Sequence, residues 1–274
     1  MKSGLYFWKN SRKPSKTMGI VIAIIVLVLA GGAAGWYYLI YTPHKQHEEE
    51  LKRKEQAIQA KISQVSSFYD MNLAGGSIER LGLLLAEMYK SRLKLSLSGY
   101  EEKSATCTTS GCTFNYDIQK GHVFSLQNKE IWGSVFSGSF SEKEVSFSDI
   151  PSKLDSNVLL KKYKANEDVN VTECGRMLNY IYSLNSSGMI LGMFEVTTPP
   201  ASSVIEIEKE LGVRGKYYGL LFGSWKMETK ENSIPHLISI FEGLAFRDDF
   251  IIKSIDIKSG VVSISGGFVC KTGS

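Results

Sequence analysis

The sequence predicts an α+β protein carried on a single N-terminal membrane helix. Three observations predict it: an uncharged apolar run near the N-terminus, an amphipathic helical stretch after it, and a long remainder in which short helical and strand patterns alternate. Composition agrees. With 43% apolar and 22% charged residues the chain is too apolar for a disordered protein and too polar for a polytopic membrane protein. Its 25 Gly and 6 Pro are too few for collagen-like or low-complexity material.

The formal charge is +4, from 32 Lys and Arg against 28 Asp and Glu. Lys2, Lys9, Arg12, Lys13 and Lys16 place +5 in residues 1–17, so everything after them sums to −1. A nucleic-acid-binding domain concentrates its basic residues on a folded surface. Here they precede the apolar run instead, so nucleic acid is not expected as a partner.

That run, residues 18–41, reads MGIVIAIIVLVLAGGAAGWYYLIY and contains no charge. At 1.5 Å per residue a 24-residue helix reaches roughly 36 Å, enough for a hydrocarbon core of about 30 Å with some tilt. Trp36, Tyr37, Tyr38 and Tyr41 sit at its far end, where aromatic rings favour the membrane interface. The basic tail 1–17 stays in the cytoplasm by the positive-inside rule, and the rest of the chain is exported. A cleaved signal peptide is the rival reading, with Gly32-Ala33-Ala34 as its cleavage site. The apolar stretch continues through Ile40, however, longer than the roughly 7–15 residues of a cleavable core. Gly31 and Gly35, with Ala30 and Ala34 beside them, form a small-residue face on which two membrane helices can pack closely.

Thr42-Pro43 is expected to interrupt or kink the helix. Residues 42–74 then form a stalk. Leu51, Ile58 and Val65 recur every seven residues, and Ile62 with Phe68 or Tyr69 widens the stripe. Lys54 and Lys61 stand where a second seam residue belongs, so the stalk is read as pairing with a partner of matching character through Leu51, Ile58, Ile62 and Val65. A solvated stalk held by its own charge pairs is the bland alternative. His44 and His47 have chelating spacing but no further ligands nearby, so no metal is expected.

Two modules are expected beyond the stalk, 75–150 and 151–274. In the first, Ser77 caps a helix with Ile78, Leu81, Leu84, Leu85 and Met88 on one face, ending near Ser91. Leu93, Leu95 and Leu97 alternate as a half-buried strand, and SATC and CTFNYDI flank a turn as a hairpin. Residues 122–127, 134–140 and 144–147 are further strand candidates, and a polar stretch at 151–155 divides the modules. In the second, Thr172 caps a helix through Met177 and Ile181, residues 188–197 are strand-like, and Pro199-Pro200 breaks the chain. Residues 202–211 read as helix and 215–227 as a strand with glycine irregularities. Asn232 or Ser233 caps a helix carrying Leu237 and Phe241, and FIIKSIDI and VVSISGGFVC form a last hairpin. Strand, helix, strand, strand is most of a ferredoxin-like sandwich. Ser265-Gly266-Gly267 reads as a bulge in an edge-like strand.

Cys107, Cys112, Cys174 and Cys270 all lie in the exported part, and an even count there fits two disulfides. Four cysteines allow three connectivities, which sequence alone does not choose between. The short turn between Cys107 and Cys112 favours their pairing, leaving Cys174 for Cys270. A zinc site is the alternative, but the later spacings are not those of a compact zinc module. No catalytic signature is present: the four histidines lie in no H-E-x-x-H pattern, and there is no P-loop, nucleophile elbow or dinucleotide fingerprint. Asp248-Asp249 reads as a solvated turn rather than a catalytic pair. Neither an enzymatic activity nor a cofactor is expected.

The order of these parts, ending in Ser224-Trp225-Lys226-Met227, a helix over 233–244 and FIIKSIDIKSGVVSISGGFVCK, resembles the PilO-like and GspM-like bitopic inner-membrane proteins of type IV pilus and type II secretion machines. Paired cysteines on a hairpin are similar to those of PilO-like proteins of type IVb pili. The resemblance implies a non-enzymatic scaffold in a bacterial inner membrane with a periplasmic body, an oligomer with itself or with a sister bitopic protein, linking platform and periplasmic components. Larger relatives have a cytoplasmic docking domain where this chain has seventeen residues. A conjugation-type secretion subunit and a membrane-anchored periplasmic sensor or enzyme are the competing readings.

Overall fold

In a computed structural model of the chain, residues 16–96, 99–121, 128–187, 194–230 and 233–273 are described. Residues 1–15 of the expected tail, the strand at 122–127, the start of the strand-like segment at 188–193, Leu97 and the capping role of Asn232 lie outside them, whereas the tail's last two residues, Lys16 and Thr17, already belong to the first helix. The chain forms two compact units, one reaching to Ala60 and one from Lys61 onward.

In the first unit, helix α1 (Lys16–Trp36) passes through a π-helical turn, Tyr37–Tyr41, into α2 (Thr42–Leu73). Pro43 therefore neither breaks the helix nor ends it. Proline cannot donate to the carbonyl four residues back, and the chain widens by one residue just before it. The Thr42 N–H then reaches the Tyr37 carbonyl, which also accepts from Thr42 Oγ1 at 2.7 Å.

The second unit is built on one antiparallel sheet of eight strands in the order β5-β6-β2-β1-β9-β10-β8-β7. Its strands are β1 (Tyr100–Thr108), β2 (Gly111–Ile118), β5 (Ser139–Phe140), β6 (Glu144–Ile150), β7 (Glu195–Ala201), β8 (Leu220–Lys230), β9 (Phe250–Lys258) and β10 (Val261–Lys271). A separate hairpin pairs β3 (Asn128–Ile131) with β4 (Ser134–Ser137). The sheet does not divide at residue 150 as expected. β1 pairs with β9 from Ser104↔Lys258 to Thr108↔Ser254, joining the two expected modules. Two half-sheets would each leave an edge of unpaired backbone groups, and joining them removes both. The polar stretch read as a divider is buried at Ser152 and Leu154, and Asn157 just after it is buried as well.

One face of the sheet carries the main core. Ala105, Cys107, Phe114, Tyr116, Trp225, Met227, Ile255, Ile257, Val262 and Ile264 alternate inward. They meet α3 (Ile78–Ser96) through Leu81, Leu84, Leu85 and Met88, α5 (Cys174–Ser186) through Met177 and Ile181, and α7 (Ile234–Glu242) through Leu237 and Phe241. Ser77 caps α3 as expected, its Oγ accepting from the Arg80 N–H at 3.3 Å. Thr172 does not cap α5. Glu173 holds that position, and the Thr172 N–H donates to Asp249 Oδ2 at 2.9 Å.

The opposite face is polar at Ser104, Thr106, Thr113, Asn115, Ser224, Ser254 and Ser265. At its other end lies a second buried group, where Phe222, Ile251 and Val269 meet Tyr69 and Leu73 of α2, α4 (Val158–Lys164) and α6 (Ile205–Leu211). Two glycines permit close approaches. A Cβ on Gly75 (φ +146°) would lie 2.4 Å from Ile251 Cγ2, and one on Gly266 would lie 2.1 Å from the Ile251 carbonyl. Gly266 sits at the β9–β10 register shift, so the bulge is where the sequence places it, although β10 is interior rather than an edge.

Two further expectations change. Leu93 and Leu95 belong to α3, not to a strand, because Arg, Leu and Lys favour helix and no breaker occurs before Gly99. Pro199-Pro200 lies within β7, which is an edge strand where missing donors are tolerated.

Candidate assembly interface

Helix α1 leaves its small residues uncovered. Ala30, Gly31 and Ala34 are exposed, Gly35 is half-exposed, and a Cβ built on Gly31 or Gly35 meets nothing within 4 Å. At its end the Trp36 and Tyr41 rings stack at 5.9 Å, and Tyr37 stacks on Tyr41 at 5.5 Å. This is the one described helix long and apolar enough to cross a membrane. Up to Ala60, α2 carries Leu51 (51% exposed), half-buried Ile58 and a Glu48–Lys52 ion pair. His44 and His47 are exposed, and among the described residues no three His, Cys, Asp or Glu side chains could together hold a metal ion.

From Lys61 onward the helix turns its apolar stripe into its own body. Val65 is 8% exposed, and Ile62 and Val65 line a pocket of about 400 Å³ with Tyr163, Leu211 and Tyr218. Half of the expected partner face is therefore an internal contact. Seven-residue spacing fixes which residues share a face of the helix but does not say what meets that face. Lys61, expected to weaken a seam, forms an ion pair with Glu210 instead.

Tyr69 is the centre of this foot. Its ring lies 5.1 Å from Tyr163, 5.6 Å from Tyr218 and 5.8 Å from Phe222, and it is fully buried. Burial, reinforced by nearby Glu208, pushes its hydroxyl far above the usual tyrosine range. Burial likewise raises Tyr163 and Tyr218. Buried Glu208 accepts from the N–H groups of Tyr218 at 3.2 Å and Gly219 at 3.3 Å, fixing the entry to β8.

Two side chains hold the end of α2. Asn157 Nδ2 donates to the carbonyls of Leu73 (2.7 Å) and Gly75 (3.0 Å), while its Oδ1 accepts from the Leu160 N–H (2.8 Å) and caps α4. Lys253 Nζ donates to the carbonyls of Met71 (2.8 Å) and Asn72 (3.2 Å), and burial lowers its pKa. The last turn of α2, whose carbonyls lack helical partners, is thereby joined to α4 and β9. A Gly76↔Ile252 bridge continues the attachment.

No protein-family model matches the chain, and no curated protein or solved structure shows significant similarity to it.

The cysteines pair as Cys107–Cys112 and Cys174–Cys270. The first joins directly opposed residues of the β1–β2 hairpin, whose loop is only Thr109-Ser110 because Thr108 and Gly111 already pair. The second ties α5 to β10, beside the parallel Glu173↔Lys271 bridge. Asp249 is buried and bonded to Thr172, so only Asp248 of that pair is a solvated turn residue. Burial raises the Asp249 pKa. The stripe legible in the sequence offered Phe68 or Tyr69 but not Tyr163, Glu208, Tyr218, Asn157 or Lys253. They come from four separate segments, and no local pattern links them.

Proposed function

We propose that this chain is a non-enzymatic scaffold of a type IV pilus or related secretion machine, anchored in an inner membrane with its body in the periplasm. The observation that carries the reading is the division of α2. Its lower stripe is used inside the body, whereas Leu51 is 51% exposed, Ile58 is only half-buried, and a Cβ on Gly31 or Gly35 of α1 meets no described atom within 4 Å. A protein partner at the upper stalk and a helix in the membrane would cover these residues. The two disulfides support an oxidising compartment. The C-terminal topology supports the resemblance as well. β8 and β9 are each antiparallel to β10, so β8–α7–β9 is a crossover between parallel strands with β10 inserted between them. That is half of a ferredoxin-like arrangement.

Cysteines substituted at Leu51 and Ile58, crosslinked in native membranes, test the proposal. Val65 is unsuitable because it is buried. An adduct containing a pilus or secretion component is expected. No adduct at either site, together with normal pilus assembly in a deletion strain, sinks the proposal. The 400 Å³ pocket at the foot favours a second reading, an anchored ligand-binding sensor. It requires ligand-dependent thermal stabilisation that is lost when Leu211 is replaced by Trp.

A further inference from the structure

Two asparagines of the body stand in the acceptor pattern for N-linked sugar, Asn170-Val171-Thr172 and Asn185-Ser186-Ser187, with no proline between. The pattern alone is common, but the fold treats the two asparagines differently. Asn185 is engaged. Its Nδ2 donates to the Phe194 carbonyl at 2.9 Å, and its Oδ1 accepts from the Phe194 N–H at 2.8 Å. Phe194 is a core residue at 2% exposure, so a sugar on Nδ2 would crowd the contact that seats it. The residue two before Asn185 is Ser183.

Asn170 is open. It is exposed in the irregular segment 167–172 between α4 and α5, which buried Val169 pins to the body. Beside it lies a groove of about 620 Å³, lined also by Arg176, Glu242, Phe246, Arg247 and Asp248. An attached sugar would find room there, with an aromatic ring and planar polar groups to meet it. Two residues before Asn170 stands Asp168, whose side chain is 86% exposed. Its ion pair with Lys216 at 2.9 Å is at the surface, so little holds the carboxylate back from another partner. An enzyme that reads the segment through a guanidinium would gain a charge-assisted pair from it.

We propose that Asn170 carries an N-linked oligosaccharide, added on the periplasmic side, and that Asp168 is the charged determinant of the site. The proposal rests on the export of the body in the reading above. The donor is a lipid pyrophosphate-linked oligosaccharide, and the enzyme is a membrane oligosaccharyltransferase. The Asn170 amide nitrogen bonds to C1 of the first sugar, the C1–O bond to the pyrophosphate breaks, and the amide proton passes to a base of the enzyme. Lipid pyrophosphate leaves, and nothing is oxidised or reduced. Transfer precedes docking of the segment. In the fold the Thr172 N–H donates to Asp249 Oδ2 at 2.9 Å, and the Thr172 carbonyl accepts from the Lys271 N–H at 3.0 Å. Both tethers come from segments exported later, so the acceptor stays extended until β9 and β10 arrive. Because the Asn170 side chain ends in the open, the modified chain then folds around the same contacts.

The test is the intact mass and peptide map of the full chain purified from its native membranes, with maleimide labelling under denaturing conditions to report its cysteines in the same sample. The expected result is an oligosaccharide increment on the peptide carrying Asn170, lost in Asn170→Gln and kept in Asn185→Gln. Asp168→Asn should lower the ratio of modified to unmodified chain by at least about tenfold, and Asp168→Glu should restore it. Lys216→Met removes the same ion pair and should leave the ratio unchanged, which separates recognition from a structural effect. Oxidised cysteines with no increment at Asn170 overturn the proposal and leave the scaffold reading standing. Free thiols overturn export and both readings with it. An unchanged ratio in Asp168→Asn, or a sugar on Asn185 in place of Asn170, also overturns the proposal.

Discussion

Replacing Asn157 separates its two roles. Asn157→Ser keeps a short acceptor able to cap α4 but cannot reach the carbonyls of Leu73 and Gly75, which Asn157 Nδ2 now satisfies at 2.7 and 3.0 Å. Each buried acceptor left without a partner costs about 1–3 kcal/mol. With Lys253 still holding Met71 and Asn72, the expected loss lies at the lower end, roughly 2–4 kcal/mol for the pair. For a body of this size that lowers the melting midpoint by about 4–16 °C. Asn157→Ala additionally removes the acceptor for Leu160 N–H, adding about 0.5–2 kcal/mol. Hydrogen exchange on the full chain in detergent distinguishes the two. Asn157→Ser should speed exchange at the end of α2 and in the Ala74–Ser77 turn while α4 stays protected, and Asn157→Ala should expose both. Stability within about 1 kcal/mol of the parent for Asn157→Ser would refute the clamp, as would faster exchange confined to α4.

The two halves of α2 should respond differently to a charge. Val65→Asp places a carboxylate in the buried foot and should cost several kcal/mol, roughly 3 or more, in thermal unfolding, whereas Leu51→Asp should leave unfolding unchanged and weaken crosslinking. The disulfides should rank by loop length: removing Cys174–Cys270, separated by 96 residues, should cost about 4.7 kcal/mol, and removing Cys107–Cys112, separated by 5, about 2, both read from denaturant midpoints of the Ser variants. Burial raises the Asp249 pKa, so the folded state binds its proton more tightly than the unfolded state. That contribution is greatest at low pH and is lost as pH rises through the folded value. Asn in its place keeps an acceptor for the Thr172 N–H, so Asp249→Asn should flatten this dependence and raise the midpoint at pH 7.

Much of the fold is legible where a local rule has no competitor. Ser77 before an apolar helical face, the cysteine-flanked β1–β2 hairpin and the alternating β9–β10 hairpin all form as their residues predict. Misreadings arise where two periods fit the same residues. Leu93 and Leu95 alternate like a strand, but the helical face that buries Leu81, Leu84, Leu85 and Met88 continues to Ser91, which is 8% exposed, and leaves Leu93 at 49%. Pro199-Pro200 looks like a break until β7 is seen to occupy an edge, where its outer side needs no donors.

By itself, the sequence determined the uncharged helix, the basic residues before it, the amphipathic stripe of the stalk and the α+β character of the body, because each depends on charge or periodicity along a few turns of chain. Only the tertiary structure decided where the stripe stops being available. Val65 and Leu51 share a heptad spacing, yet one is buried by Tyr163, Leu211 and Tyr218 from distant segments and the other is exposed. The joining of β1 to β9 is of the same kind. Backbone groups on strand edges are satisfied by whichever strand arrives beside them, and sequence distance does not enter that requirement.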